Sequence, residues 1–234
     1  MTDRTRQAEF EHGTDDGAAT DPVLDAAEAR ALHVAGDAAH DFDHVLRVTR
    51  MAGRIAAGEG ADAEVVRLAA LLHDAPVAGA SLAERRGAHH LAAAQFAGDL
   101  LAGRGLEPQR VANVIHCIEA HRFRDRTVTP QTLEARCLYD ADKLDSIGAI
   151  GVARAFAYGG AHGSRLWSEP WRAAPPDAAR PQGSDYTPVH EFVYKLQRLQ
   201  GTLYTAAARA VASQRHEFMR LFFDQLDAEM QGLD

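Results

Sequence analysis

The chain has 234 residues, 46% of them apolar, a formal charge of −8 and only two cysteines. That is enough apolar material for a sizeable core, while the acidic balance argues against an extended nucleic-acid face. No run approaches the roughly 18 apolar residues of a membrane span, and Cys117 and Cys137, outside any CxxC pair, give neither a disulfide framework nor a thiolate zinc site.

In chain order, residues 1–20 are polar and rich in Asp, Thr and Gly, which reads as a disordered tail. They lack the apolar stretch of a secretory signal, so a cytoplasmic location is expected. Residues 21–234 read as one domain. A helix is predicted from Asp41 to Ala57, with Val45, Val48, Met51, Ala52 and Ile55 at helical spacing and Gly58 as its stop. A second begins at an Asp62 cap, is apolar almost all round, and ends near His73-Asp74 because Pro76 follows. Helices over 88–102 and from Pro108 to His121 come next. A long helix is then predicted over 132–157.

Residues 159–187 hold many Pro and Gly together with Trp167 and Trp171. This is longer than the roughly 12 to 15 residues of an ordinary connection, so a lid is the expectation. Helices over 188–203 and 206–230 complete the chain. The last carries Phe218, Leu221, Phe222 and Leu226 as its expected apolar stripe, which could serve a homodimer as well as a core. The fold class is therefore all-α, a helical bundle with a long Pro/Gly-rich loop before its C-terminal helices. The metal-binding core is expected over about 30–157 and the C-terminal helices over 188–231.

The stretch YDADKLD, residues 139–145, places three carboxylates in a helix that otherwise looks buried. At about 100° per residue, Asp142 and Asp145 share a face with Leu138 and Val152. Asp140 points the other way and is read as a solvated charge. Two acids one turn apart on an inward face require a cation nearby. Candidate partners are His44, early in the first long helix, and His73 with Asp74, where the apolar helix ends. Imidazole nitrogen and carboxylate oxygen form a mixed donor set that suits an octahedral divalent ion.

These residues carry a resemblance. The order His44, His73-Asp74, Asp142 resembles the HD-domain superfamily of metal-dependent phosphohydrolases. HDFDHVLRV (40–48) and DADKLDSIGAIGVARAFAYGG (140–160) are similar to the small bacterial HD subgroup of nucleotide pyrophosphohydrolases, as are EFVYKLQRL (191–199) and RHEFMRLFF (215–223). The resemblance implies an all-helical fold and one divalent metal ion per chain on His44, His73, Asp74 and Asp142. Mn²⁺ is the first choice, with Mg²⁺, Fe²⁺, Co²⁺ and Ni²⁺ as alternatives. It also implies a small phosphate substrate, a nucleotide, hydrolysed with loss of pyrophosphate. Where some relatives place a catalytic Glu, this chain has Val77.

Around that centre, Asp145 is expected to support a ligand or orient the attacking water, and His121 to touch phosphate or act as an acid. Arg47 either clamps phosphate or neutralises Asp145, with Lys143 and Arg124 as further phosphate contacts and Lys195 a weaker one. His89 and His90 read as a solvated loop pair. A nucleotide-binding regulatory module without turnover, a phosphomonoesterase or nucleotidase, and a dinuclear iron oxygenase stand as other readings. Activity is expected to fall below about pH 6, where imidazole ligands take up protons.

Overall fold

A computed structural model describes residues 23–33, 42–75, 89–122 and 127–233. The N-terminal tail, His40, Asp41, Pro76, Val77 and Arg124 lie outside the described residues, as does most of the segment between α3 and α4. Throughout the described residues the regular structure is helical: α1 (Ala26–His33), α2 (Phe42–Glu59), α3 (Ala63–Leu72), α4 (His89–Gly103), α5 (Pro108–Ala120), α6 (Leu133–Asp145) and α7 (Gly148–Ala161). Three single 3₁₀ turns punctuate the loop up to 187. Helix α8 starts at Pro188–Glu191, passes through a π-helical turn (Phe192–Leu196) and ends as Gln197–Leu199. The chain closes on α9 (Ala206–Gln231).

Helices α2, α3, α5 and α6 pack on one another, α4 lies against α5, and α9 covers α6, α7 and α2. Seven of the ten residues of α3 are buried, which explains its near-uniform apolarity. Its start is fixed by Asp62, whose carboxylate accepts the N–H groups of Glu64 and Val65 and also holds Arg110 of α5. One N-cap thus ties two helices together. Helix α2 overruns the predicted stop at Gly58 and ends at the next glycine, Gly60, which adopts φ 78°.

Two expectations are corrected. The long helix predicted over 132–157 is two helices. Gly148 sits at φ 77°, a backbone state that favours glycine, and a Cβ at Gly151 would overlap the Ser146 carbonyl oxygen. The DADKLDSIGAIG stretch therefore ends one helix and reverses into another. The stripe of α9 is also shifted: Ala208, Ala212, Met219 and Phe223 face inward, whereas Phe218 and Leu221 are exposed. A long helix with apolar residues on several faces leaves its phase to its partners, here α6 and α7.

The segment expected as a lid is fastened to α9. The Trp167 Nε1–H donates to Asp227 Oδ1 (2.8 Å), the Trp171 Nε1–H to Asp224 Oδ1 (2.8 Å), and the Trp171 backbone N–H to Asp227 Oδ2 (2.9 Å). Arg172 pairs with Asp224 as well. Each indole buries part of its ring and still satisfies its donor.

Candidate metal centre

Helix α2 delivers His44 in its first turn, the end of α3 delivers His73 and Asp74, and α6 delivers Asp142 and Asp145. Because α2, α3 and α6 pack together, residues far apart in sequence converge. One ligand atom each from His44, His73 and Asp74 lie within 4.8 Å of one another. His44 Nε2 stands 3.8 Å from Asp74 Oδ2 and 3.5 Å from Asp142 Oδ1, and His73 Nε2 is 3.4 Å from Asp74 Oδ2.

The hydrogen bonds orient these rings. His44 Nδ1–H donates to Asp145 Oδ2 (2.7 Å), and His73 Nδ1–H to the Ala70 carbonyl (2.8 Å). Each leaves Nε2 turned toward the carboxylates, the arrangement that metal-binding histidines adopt. His73 Nε2 is fully buried and has no hydrogen-bond partner. A buried, unsatisfied lone pair costs about 1–3 kcal/mol, and a cation on it removes that cost. The donor set fits a divalent ion on this observation.

Charge at the centre is strongly coupled. Burial disfavours the His44 imidazolium, but the Asp145 hydrogen bond and the charges of Asp142 and Asp74 outweigh it and raise His44 above the ordinary histidine value. For Asp142, burial would raise the carboxyl, yet Lys143 and the surrounding histidines hold it well below the usual range. Asp145 is likewise lowered: burial opposes ionisation, and the bonds from His44 and Arg47 overcome it.

His121 caps the end of α5. Its Nδ1–H donates to the Ile118 carbonyl (2.5 Å), and Nε2 lies 3.8 Å from Asp74 Oδ1. Burial, then the neighbouring His73, pushes its pKa down to about 3. Burial thus favours the neutral form of this ring. The rings of His44, His73, His121 and His90 run in a row, with centroid separations of 5.4, 5.2 and 6.3 Å. His90 is buried, contrary to the solvated reading, because the first turn of α4 packs it against this row.

Lys143 and Arg47 both bond acids beside the centre. Lys143 turns inward, donates to the His121 carbonyl (2.9 Å) and pairs with Asp142 Oδ2. Arg47 grips Asp145 bidentately, Nε to Oδ1 at 2.7 Å and Nη2 to Oδ2 at 3.0 Å, the carboxylate contact named as one of its two alternatives. Arg154 adds a longer contact to Asp145 Oδ2 at 3.3 Å. Lys195 pairs with Glu191.

Asp140, read as a solvated acid, is completely buried. Its oxygens accept the Tyr204 N–H (2.9 Å), the Thr205 N–H (2.7 Å) and the Thr205 hydroxyl (2.7 Å), while Thr205 Oγ1 caps α9. Its partners, two backbone N–H groups and one hydroxyl, sit at the start of α9, far from it in sequence.

The HD domain family model matches residues 41–147, the span that carries all these ligand-type residues. YpgQ of Bacillus subtilis is 34% identical over 198 residues, covering 83% of this chain and 86% of that protein. The chain belongs to the HD-domain superfamily. The crystal structure of YpgQ in complex with ADP superposes with a TM-score of 0.66 at 30% identity, over 89% of this chain and 96% of that one. A crystal structure of an HD-superfamily hydrolase from Bacillus thuringiensis superposes with a TM-score of 0.68 at 28% identity, over 88% and 94%. As a member of this superfamily, the chain groups with hydrolases.

Proposed function

We propose that this chain is a metal-dependent phosphohydrolase of nucleotides, cleaving nucleoside triphosphates with release of pyrophosphate. The single observation that carries the metal requirement is the buried, unpartnered Nε2 of His73, aimed at Asp74 beside the bare Nε2 of His44. The nucleotide class is supported by the ADP complex of YpgQ.

One divalent ion on His44, His73, Asp74 and Asp142, Mn²⁺ by preference, would polarise a phosphoryl oxygen and acidify water. The chain's own groups do the rest. Asp145 holds the His44 tautomer through Nδ1–H, Lys143 fixes the Asp142 carboxylate, and Arg47 fixes Asp145. His121, with its donor committed to Ile118, offers Nε2 as an acceptor that orients the attacking water.

The test is incubation of the purified full chain with a panel of nucleoside triphosphates and Mn²⁺, with pyrophosphate and phosphate measured separately. Pyrophosphate release that is abolished by chelator and by His73→Gln is the expected result. Release of phosphate alone would move the reading to a phosphomonoesterase, and tight nucleotide binding with no release under any metal would overturn it in favour of a regulatory module.

A further inference from the structure

On the far side of Asp145 from the histidines lies a second polar feature of opposite sign. Helix α2 projects Arg47, Arg50 and Arg54 along one face at spacings of three and four, and Arg215 of α9 meets them. With Met51, Ala141, Asp145 and Ile150 they line a cavity of about 180 Å³. The four ligand-type residues of the metal centre are absent from that lining. Asp145 is the common wall.

Four arginines and one carboxylate thus line this cleft in a chain whose net charge is −8. That carboxylate is already committed, to His44, Arg47 and Arg154. Among the described residues, no acid stands within ion-pair range of Arg50 or Arg54.

Two of the four are fixed in place. Arg47 is held by its bidentate grip on Asp145. Arg215 donates to the Leu144 carbonyl near the end of α6, and its stem lies across Gly148, where a Cβ would come within 2.9 Å of Arg215 Cγ. Burial lowers the Arg215 pKa, Asp145 opposes this, and the Arg54 charge lowers it further. Crowded like charges of this kind favour a counter-anion in the cleft.

We propose that this arginine cleft binds a small multivalent phosphate anion at a site separate from the metal centre. Guanidinium forks match phosphate oxygens in pairs, and a cavity of about 180 Å³ suits a phosphate or diphosphate group. The anion is either free or the tail of a nucleotide whose base stays outside. Since Arg47 contacts both the cleft and Asp145, and Asp145 contacts His44, the two sites adjoin through one carboxylate.

The test is calorimetric titration of the full chain with inorganic pyrophosphate in metal-free buffer, at low and raised ionic strength. It is run on wild type, His73→Gln, and the double variant Arg50→Gln/Arg54→Gln. Wild type and His73→Gln should bind one pyrophosphate with an affinity that falls as salt rises. The double variant, whose exposed side chains leave the fold and melting temperature unchanged, should bind about tenfold more weakly or worse. A parallel titration with a nonhydrolysable nucleoside triphosphate tells the free anion from the nucleotide tail, and the same arginine dependence upholds the site in either case. Binding lost in His73→Gln but kept in the double variant, or no binding through the millimolar range, overturns the proposal. No turnover is read, so the outcome is independent of the hydrolase reading.

Discussion

Asp140 and Asp142 stand two positions apart on α6, and their surroundings differ in kind. Asp140 is buried on the side facing the start of α9, where two backbone N–H groups and a hydroxyl converge on it. Asp142 faces the other way, with one oxygen paired to Lys143 and the other 3.5 Å from His44 Nε2. Neutral, fixed donors make the first carboxylate a joint between helices. Movable protons and a bare imidazole nitrogen make the second a seat for a cation. Asp145, one turn on, is intermediate: it touches no candidate metal position but sets the tautomer of a residue that does.

Three substitutions would break or sharpen that contrast. Asp142→Asn should have the largest effect on metal binding. It keeps a hydrogen-bond acceptor for Lys143 while removing the charge, and Mn²⁺ affinity by calorimetry should fall by more than about 100-fold, beyond the loss usual for a supporting residue.

Asp145→Asn should cost about 10- to 100-fold in metal affinity at alkaline pH, with a second signature in the pH profile. In the wild type, the raised His44 pKa means that protons compete with the cation from above the ordinary histidine range, and affinity declines as pH falls through that region. Removing the Asp145 charge lowers the His44 pKa, so the decline should move to lower pH. A profile that keeps its position would refute the coupling.

Asp140→Ala should leave Mn²⁺ affinity nearly unchanged and instead destabilise the fold by about 1–3 kcal/mol, because the Tyr204 and Thr205 donors lose their acceptor. Urea unfolding reads this directly. Should Asp140→Ala abolish metal binding in a fully folded protein, the division of labour drawn here fails.

The convergence of His44, His73, Asp74 and Asp142 was legible because Asp142 lies on the inward phase of a buried helix, because His73-Asp74 sits where another buried helix must end, and because the order of these residues resembles the HD pattern. The helical phase also placed Asp140 opposite Asp142. What it could not supply was the environment on that side, since the partners are two main-chain N–H groups and a hydroxyl more than sixty residues later. The contacts of Lys143 were hidden for a similar reason: its acceptors are a neighbouring acid and a backbone carbonyl, and a backbone carbonyl leaves no mark in a pattern of side chains. The break at Gly148 escaped because Gly148 and Gly151 stand among good helix formers, and only the backbone shows that both are required. The arginine cleft needs Arg215 from a different helix, and no pattern within α2 points to it. The registry of α9 was lost because apolar residues occupy more than one of its sides.

The two indole hooks of the 159–187 segment give the protein a built-in optical reporter. Trp167 and Trp171 are its only tryptophans, and both indole N–H groups end on carboxylates of α9. Intrinsic fluorescence therefore watches a single seam of the molecule. A shift of emission to the red would mark that seam parting, whatever happens around the histidines on the opposite side of α6.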